Sequence, residues 1–302
     1  MPLAMTMTLR RTEDAHRSIP WADLRLAVVR ALAHRCGIPE RELEARPRPY
    51  SLSPFQGDEP SRRAAATHGT DRARIGWPAE RFRLRVSWLD DTHLEPLLRR
   101  APVTPDDPLR LPLDPCPVRI EAASIRPSPW DAWSRWDHYG RLFSSASDTL
   151  RTATLRFCSP TVLLRQGAPY PLPDPNVIFG QYLDLWNRFS GIPLDRGLAL
   201  SLDQDLVLAD FRLRARPAGS GPTSTPSFSG SATFRLRGRR PETLLKGFNA
   251  LADFSFYCGT GAQTEQGMGL TRRILPGTRT PEERTEPRAG CPGRHRAGRE
   301  VR

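Results

Sequence analysis

The sequence predicts an α+β protein built from two similar units in tandem. Short segments that alternate apolar and polar residues recur along the chain, and segments with helical periodicity lie between them. The order strand, helix, strand, strand, helix, strand occurs in the first half, and much the same order recurs in the second. A chain of 302 residues is long enough for two domains. We therefore predict tandem ferredoxin-like (RRM-like) βαββαβ domains.

The strands and helices are predicted from these two periodicities. The predicted strands are Met5–Arg11, Pro49–Phe55, Arg81–Leu89, Val118–Ile125, Thr152–Pro160, Asp205–Arg216 and Ser229–Arg239, with a short final strand that ends at Arg272 and Arg273. The predicted helices are Pro20–Cys36, Thr92–Arg100, Pro175–Gly191 and Pro241–Cys258. Three of these helices have a proline near their start, where a missing N–H costs nothing.

Composition sets the boundaries between the units. The polar stretch Gln56–Pro78 predicts a long loop within the first unit, and Ala218–Pro226 predicts a flexible hairpin tip. After Leu275 almost no residue is available for burial, so the end of the chain is predicted to be a disordered basic tail. We divide the chain into an N-terminal unit, a connection, a C-terminal unit and this tail, at 1–126, 127–146, 147–276 and 277–302.

Charge and cysteine content narrow the classes of partner. The formal net charge is +12, which favours a polyanion such as nucleic acid, although arginine-rich composition also follows from a GC-rich genome. The five cysteines are scattered and never in CxxC spacing, so they indicate neither a disulfide framework nor a zinc site. No apolar run is long enough to cross a membrane, and the N-terminus lacks the order of a secretory signal. We expect a cytoplasmic protein.

The stretch YCGTGAQTEQGMGLTRR, Tyr257–Arg273, contains four glycines between a predicted helix and the last strand. Glycines at such a junction permit positive φ and let a ligand approach the main-chain N–H groups closely. The pattern matches neither GxGxxG nor a Walker loop, so it does not indicate a nucleotide cofactor. The alternative interpretation is that the glycines only let the last strand turn tightly against the helix.

Three segments resemble one known family. LKGFNALADFSFYCGTGAQTEQGMGLTRR is similar to the C-terminal signature of the CRISPR-associated endoribonucleases that cut precursor CRISPR RNA, members of the RAMP superfamily. LRFCSPTVLLRQGAPYPLPDPNVIFGQYLDLWNRFSG resembles the start of that family's second unit, and RPYSLSPFQG resembles the second strand of its first unit. The resemblance implies paired ferredoxin-like domains, CRISPR repeat RNA or crRNA as partner, and a glycine-rich loop that helps to hold the RNA. Other CRISPR-associated effector subunits are further implied partners.

The resemblance also implies a metal-independent reaction without a cofactor, in which the ribose 2′-OH attacks the adjacent phosphate and leaves a 2′,3′-cyclic phosphate and a 5′-OH. This chemistry needs a base, an acid and positive charge at the phosphorane. Histidine suits the proton transfers, and arginine supplies the charge. The family's catalytic histidine commonly lies between the first helix and the second strand, and this window contains His34. We therefore predict His34 as base or acid and His16 as second choice, with Arg46 and Arg48 at the transition state and Tyr50 as a weaker candidate.

The RNA-binding residues are predicted from the glycine stretch and from two arginine-rich strands. Arg212, Arg214 and Arg216 alternate on one predicted strand, and three further arginines alternate on the next, so a hairpin of the two predicts a basic platform. A solvated outer face of a sheet is the alternative. The predicted RNA-binding residues are Gly259, Thr260, Gly261, Gln263, Thr264, Gly267, Gly269, Arg272, Arg273, Arg235, Arg237 and Arg239.

Two other functions stay open from the sequence. The first is a non-catalytic RAMP-type subunit that binds guide RNA in a CRISPR effector complex, because no histidine stands just before the second strand, where the family would place it. The second is a general single-stranded RNA-binding protein, which would need exposed stacking aromatics on its central strands. The predicted strands offer arginine more than paired Phe or Tyr.

Overall fold

The structure is a computed structural model that describes residues 2–12, 20–57, 80–104, 107, 109, 111–113, 118–127, 132–218 and 224–275. It contains two main antiparallel sheets, each with helices packed against one face. The predicted α+β class with tandem ferredoxin-like domains is confirmed by this architecture.

The first sheet has four principal strands in the order β2-β4-β1-β5. Two short strands extend it, because β3 pairs with β4 and β6 pairs with β1. Residues of β1 alternate between faces, so Met5 and Met7 enter the core while Thr6 lies on the opposite face. The strands of this sheet are β1 (Leu3–Arg11), β2 (Tyr50–Leu52), β3 (Gln56–Gly57), β4 (Arg81–Trp88), β5 (Val118–Ser124) and β6 (Arg135–Trp136).

The second sheet repeats this topology with the order β10-β11-β7-β12. In both sheets the first strand of the unit lies between its third and fourth strands, as the ferredoxin-like βαββαβ pattern requires. A small separate hairpin of β8 and β9 follows the first strand of this unit. The strands are β7 (Thr152–Thr161), β8 (Leu163–Arg165), β9 (Ala168–Tyr170), β10 (Leu206–Ala218), β11 (Thr225–Leu236) and β12 (Thr271–Ile274).

The helices bury their apolar faces on one side of each sheet. Asp174 caps the N-terminus of α5, where its carboxylate accepts the N–H groups of Asn176 and Val177. Among the helices of the described ranges, none combines the length and apolar character needed to cross a membrane. The helices are α1 (Trp21–Cys36), α2 (Glu40–Leu43), α3 (Leu94–Arg100), α4 (Tyr139–Ser145), α5 (Pro175–Phe189), α6 (Arg196–Asp205) and α7 (Glu242–Cys258).

The two units meet at the C-terminal end of α7. Ser51 of β2 donates its hydroxyl to the carbonyl of Tyr257 at 2.7 Å, and the Arg85 guanidinium of β4 donates to the carbonyl of Phe256. The Tyr139 hydroxyl donates to the carbonyl of Leu89 at 2.8 Å. Polar side chains of one unit thus bind main-chain carbonyls of the other, which fixes the position of the glycine stretch that follows α7.

The fold contains elements that the sequence analysis did not predict. Residues 196–205 form α6, which buries Leu198 and Leu202 and leaves Leu200 exposed. The short helix α2 and the hairpin of β8 and β9 are further additions. The segment expected as a connection contributes structure to both units. Its β6 pairs with β1, and α4 places Tyr139 and Leu142 in the core of the second unit.

Candidate RNA-binding and catalytic site

The glycine-rich loop, residues 259–269, connects α7 to β12 and packs closely against other backbone segments. All four of its glycines have positive φ, between 64° and 88°. A Cβ atom at Gly269 would lie 1.9 Å from the carbonyl oxygen of Thr260, and one at Gly261 would lie 2.3 Å from that of Val162. At Gly267 it would lie 2.7 Å from the carbonyl oxygen of Ser53 in the first unit. Packing within the protein therefore requires glycine at these positions.

The N–H groups of these glycines donate to acceptors within the protein. The N–H of Gly261 donates to Gln181 Oε1 at 2.6 Å, and that of Gly269 donates to the carbonyl of Pro160 at 2.8 Å. The N–H groups of Gly259 and Gly267 donate to carbonyls at 3.0 and 3.3 Å. The expected cradle of glycine amides is therefore occupied by the protein itself in this conformation, and the loop presents side chains instead.

The predicted side chains of the loop fall into two groups. Thr260 is buried, and its hydroxyl lies between the Tyr182 hydroxyl and Thr271 Oγ1, the latter at 2.6 Å. It therefore holds the loop to α5 and β12 and does not face solvent. Gln263 and Thr264 are half-buried at the turn of the loop, where Gln263 adopts a left-handed conformation. These two remain candidates for contact with a ligand.

The loop brings the predicted catalytic segment of the first unit next to the second unit. The Glu265 carboxylate lies 3.8 Å from Arg46 Nη1 and 3.9 Å from Arg48 Nε. Arg48 Nη1 donates to the Tyr50 hydroxyl and to the carbonyl of Leu43, both at 2.7 Å. The structure thus unites residues near 46–50 with the glycine-rich loop, although more than two hundred positions separate them in the sequence.

The candidate residues of this segment differ in accessibility. The Arg46 side chain is 70% exposed and is available to a ligand. Tyr50 is buried, and this burial raises the pKa of its phenol. Its hydroxyl is engaged by Arg48. Tyr50 therefore supports Arg48 and is poorly placed to transfer a proton itself.

The histidines occupy different environments. His34 is exposed at the C-terminal end of α1, where its carbonyl accepts the N–H of Gly37 at 3.1 Å. His16 lies outside the described residues. His93, to which the sequence assigned no catalysis, contacts the Glu42 carboxylate through Nε2. Because 51 positions separate His93 from Glu42, no local sequence pattern indicates this pair.

The two neighbouring arginines of β12 have opposite environments. The Arg272 guanidinium lies 5.5 Å from the centre of the Trp133 ring. Arg273 donates to Asp253 Oδ1 and to the carbonyl of Asn249, each at 3.2 Å, and its side chain is only 6% exposed. The expectation that both neutralise phosphate is wrong for Arg273, because successive side chains of a strand point to opposite faces.

The arginine-rich hairpin forms as predicted, but its arginines do not form one platform. Arg212 pairs with Ser231 and Arg235 pairs with Val207, so the arginines of the two strands lie at different ends of the hairpin. Strand β11 ends at Leu236, which places Arg237 and Arg239 in the turn after it. Arg237 donates to the carbonyl of Gln204 at 3.2 Å. Of the three arginines predicted to alternate along this strand, only Arg235 therefore lies within β11.

Strand register instead produces an arginine row, which we define as Arg212, Arg156 and Arg272. Ser231 pairs with Arg212 of β10 on one side and with Arg156 of β7 on the other. Arg156 in turn pairs with Arg272 of β12. Residues paired directly across strands lie on the same face of a sheet. The row therefore crosses all four strands on one face of the second sheet.

A cavity of about 210 Å³ lies between the first sheet and the end of the glycine-rich loop. Arg85 borders it, with its guanidinium 4.4 Å from the Phe256 ring and 5.8 Å from the Trp133 ring. Trp133 thus contacts an arginine of each unit, Arg85 and Arg272. The cavity is lined by Thr6, Ser53, Gln56, Arg83, Arg85, Trp133 and Leu270.

The arginines of β4 and β7 were missed as candidate site residues. The alternation of Arg81, Arg83 and Arg85 in RFRLR was the available signal, since it places three arginines on one face of a strand. The sequence could not show that this face borders the second unit. Within the described ranges, no group of three or more His, Cys, Asp or Glu side chains is arranged to hold a metal ion.

The fold and the glycine-rich loop define the class of the protein: two ferredoxin-like domains in tandem, of the RAMP type. Residues 155–271 match the family model of the CRISPR-associated endoribonuclease Cas6. The chain is similar to this family over these residues, which make up most of its second unit.

Solved structures and curated relatives show the same similarity. The Cas6 (TTHB231) product complex, a Thermus thermophilus protein, has a TM-score of 0.68 at 25% identity over 91% of this chain and 100% of that chain. The Cas6 (TTHA0078) substrate mimic complex has a TM-score of 0.65 at 25% identity over 90% of this chain and 99% of that chain. Curated Cas6 endoribonucleases of two Mycobacterium tuberculosis strains are 30% identical over 135 residues. That match spans 44% of this chain and 42% of each relative, less than half of their length.

Proposed function

We propose that this protein is an endoribonuclease that binds CRISPR repeat RNA in precursor crRNA and cleaves it without a metal ion. The ribose 2′-OH attacks the adjacent phosphate, and the products carry a 2′,3′-cyclic phosphate and a 5′-OH. The observation that carries the proposal is the arginine row of the second sheet, which ends at Arg272 beside Trp133. The solved relatives in product and substrate mimic complexes support the same class of ligand.

The proposed RNA path follows the arginine row. Arg212, Arg156 and Arg272 lie in register across the second sheet. Arg85 of the first sheet is buried and donates to the carbonyl of Trp133 at 3.1 Å, so it holds Trp133 beside this row. Guanidinium groups can bind phosphate oxygens in pairs and can stack on bases. Trp133, half-buried between the two units, offers a ring for base stacking at the same place. Gln263 and Thr264 extend the proposed contacts onto the glycine-rich loop.

The proposed reaction centre lies next to this path, at the predicted catalytic segment. Arg46 and Arg48 supply positive charge for the phosphorane, and Arg48 is held in place by Tyr50 and the carbonyl of Leu43. His34 and His16 stay the sequence-based candidates for proton transfer. A histidine is also the residue replaced by alanine in one solved Cas6, TTHA0078.

One observation favours the second candidate function, a non-catalytic subunit that binds guide RNA. Glu265 places a carboxylate within 3.9 Å of both Arg46 and Arg48. This negative charge stands where the scissile phosphate would have to bind, and it opposes a second anion there. In an active enzyme the RNA phosphate must displace Glu265 from the two arginines.

Incubation of the purified protein with end-labelled repeat RNA in EDTA tests the proposal. We expect one cut per repeat and product ends that are 2′,3′-cyclic phosphates. Matched RNA with a single 2′-deoxynucleotide at the cut site should bind equally well and remain intact, because the nucleophile is missing. If the protein binds both RNAs and cleaves neither, the proposed endoribonuclease function is contradicted, and the guide-RNA-binding subunit becomes the better candidate.

A further inference from the structure

The first unit contains a histidine–carboxylate pair at the end of the sheet that carries the catalytic segment. His93 ends the 3-10 turn that follows β4, and its Nε2 atom contacts the carboxylate of Glu42 on α2. The two side chains are 18% and 33% exposed, so both are held by the protein while an edge of the pair still reaches solvent. The pair is therefore more ordered than an exposed histidine and remains accessible to a ligand.

Short contacts connect this pair to Arg48. The carbonyl of Leu43, the residue next to Glu42, accepts a hydrogen bond from Arg48 Nη1 at 2.7 Å. On the other side, the His93 ring meets the Trp88 ring edge-on at 6.1 Å. Trp88 stacks on Tyr50 at 6.1 Å, and the Tyr50 hydroxyl accepts from Arg48. The imidazole and the guanidinium are thus held by the same four-residue helix and the same pair of rings.

A carboxylate partner determines which ring nitrogen of an imidazole can accept a proton. When Nε2–H of neutral His93 donates to Glu42, Nδ1 carries a lone pair and becomes the proton acceptor. The carboxylate also stabilises the imidazolium that forms when this nitrogen takes a proton. The exposed His34 sits at the end of α1 without a comparable carboxylate in the described contacts.

We propose that His93, oriented by Glu42, accepts the proton of the attacking 2′-OH. This inference rests on the proposed endoribonuclease function. As the 2′-oxygen forms its bond to phosphorus, its proton passes to His93 Nδ1 and the bond from phosphorus to the 5′-oxygen breaks. The leaving 5′-oxygen takes a proton from water or from His34, and His93 returns its proton to solvent. Arg48 supplies charge to the phosphorane, and Glu42 is a positioning residue.

Other charged and titratable groups around the pair affect its protonation. Glu42 and Arg48 carry opposite charges, and acidic side chains lie on the turn that contains His93. The groups on the elements that pack around His93 are Glu42, Arg48, Tyr50, Asp90, Asp91 and Glu95.

Single-turnover cleavage of repeat RNA by His93→Gln tests the proposal. Glutamine can still donate to Glu42 but cannot accept the proton in the reaction, so we expect at least a 100-fold loss of rate, the size typical of general base catalysis. RNA affinity and the thermal midpoint should stay near those of the wild type. His138→Gln is the matched control, since His138 is an exposed histidine elsewhere in the fold. This variant should cleave the RNA at the wild-type rate.

Two further measurements separate a catalytic role from a structural one. Added imidazole should restore cleavage in His93→Ala, which a packing defect would not allow. The single-turnover rate constant should fall in Glu42→Gln while RNA affinity stays unchanged, because an amide stabilises the imidazolium formed in the reaction less than a carboxylate does. This second variant also keeps the test decisive if His93→Gln unfolds.

The outcomes distinguish this inference from the proposed function. A wild-type protein that cuts, together with a folded His93→Gln that cuts within about threefold of it, below the usual range for loss of a catalytic base, would overturn the role of His93 alone. An unchanged single-turnover rate constant in Glu42→Gln would do the same. A wild-type protein that binds repeat RNA but never cuts it would overturn both.

Discussion

The two units stabilise their functional segments in different ways. In the C-terminal unit the glycine-rich loop is fixed by hydrogen bonds to its backbone. The N–H of Gly269 donates to the carbonyl of Pro160, and the side-chain amide of Gln181 bonds to both the N–H and the carbonyl of Gly261. In the N-terminal unit the segment around Arg48 lies between the very short elements α2 and β2, and polar side chains such as Arg48 and Glu42 hold these elements in place. Backbone packing makes the loop intolerant of change, whereas side-chain contacts can be removed one at a time.

The largest expected effect follows from the backbone packing of the loop. In Gly269→Val the added Cβ would lie 1.9 Å from the carbonyl oxygen of Thr260, at a φ of 64° that β-branched residues avoid. We expect a loss of more than about 3 kcal/mol in the free energy of unfolding, because both steric overlap and backbone strain contribute.

Gly167→Ala is the control for this prediction. Gly167 also has positive φ, but no atom lies within 4 Å of its missing Cβ, so we expect a loss of only about 1 kcal/mol. Urea denaturation followed by circular dichroism measures both variants. Equal losses in the two variants would show that close packing does not explain the glycine at 269.

The second-largest expected effect is a difference in stability and RNA affinity between alanine variants of the two neighbouring arginines of β12. Arg273→Ala leaves the half-buried Asp253 without its partner, so we expect a loss of about 2 to 3 kcal/mol in the free energy of unfolding and little change in RNA affinity. Arg272→Ala should leave stability near the wild-type value. Its affinity for repeat RNA should fall about tenfold, and the slope of log affinity against log salt should decrease by about 1.

Gel-shift titrations at several salt concentrations, together with thermal melts, measure this contrast. If Arg273→Ala lost the RNA affinity and Arg272→Ala the stability, the assignment of the two faces of β12 would have to be reversed.

The smallest expected effect is the change in RNA affinity when the charge of Glu265 is removed at the contact between the two units. Glu265→Gln removes the negative charge beside Arg46 and Arg48, so we expect RNA affinity to increase about threefold, the size of a partly exposed ion-pair effect. Stability should change by less than about 1 kcal/mol for the same reason. Glu80→Gln, which removes the partner of Arg10 at the surface, is the matched control. Weaker RNA binding by Glu265→Gln would mean that Glu265 positions the arginines and does not compete with RNA.

The sequence by itself determined the repeated βαββαβ order and the positions of the eight principal strands and of the long helices α1, α5 and α7. Periodic patterns of two and 3.6 residues are local. The prolines at the N-caps of α1 and α7 and at the first residue of α5 marked their starts without tertiary information. Helix α6 was not predicted, although its buried Leu198 and Leu202 are four positions apart, as on one face of a helix.

Only the tertiary structure decided which side chains share a site. The pairing of His93 with Glu42, the row of Arg212, Arg156 and Arg272, and the burial of Arg273 depend on contacts between segments far apart in the chain. Strand register and the packing of the two units set these contacts, and neither is encoded within a local window of sequence. For the same reason the glycines could be recognised from the sequence, while the carbonyl groups that require them could not.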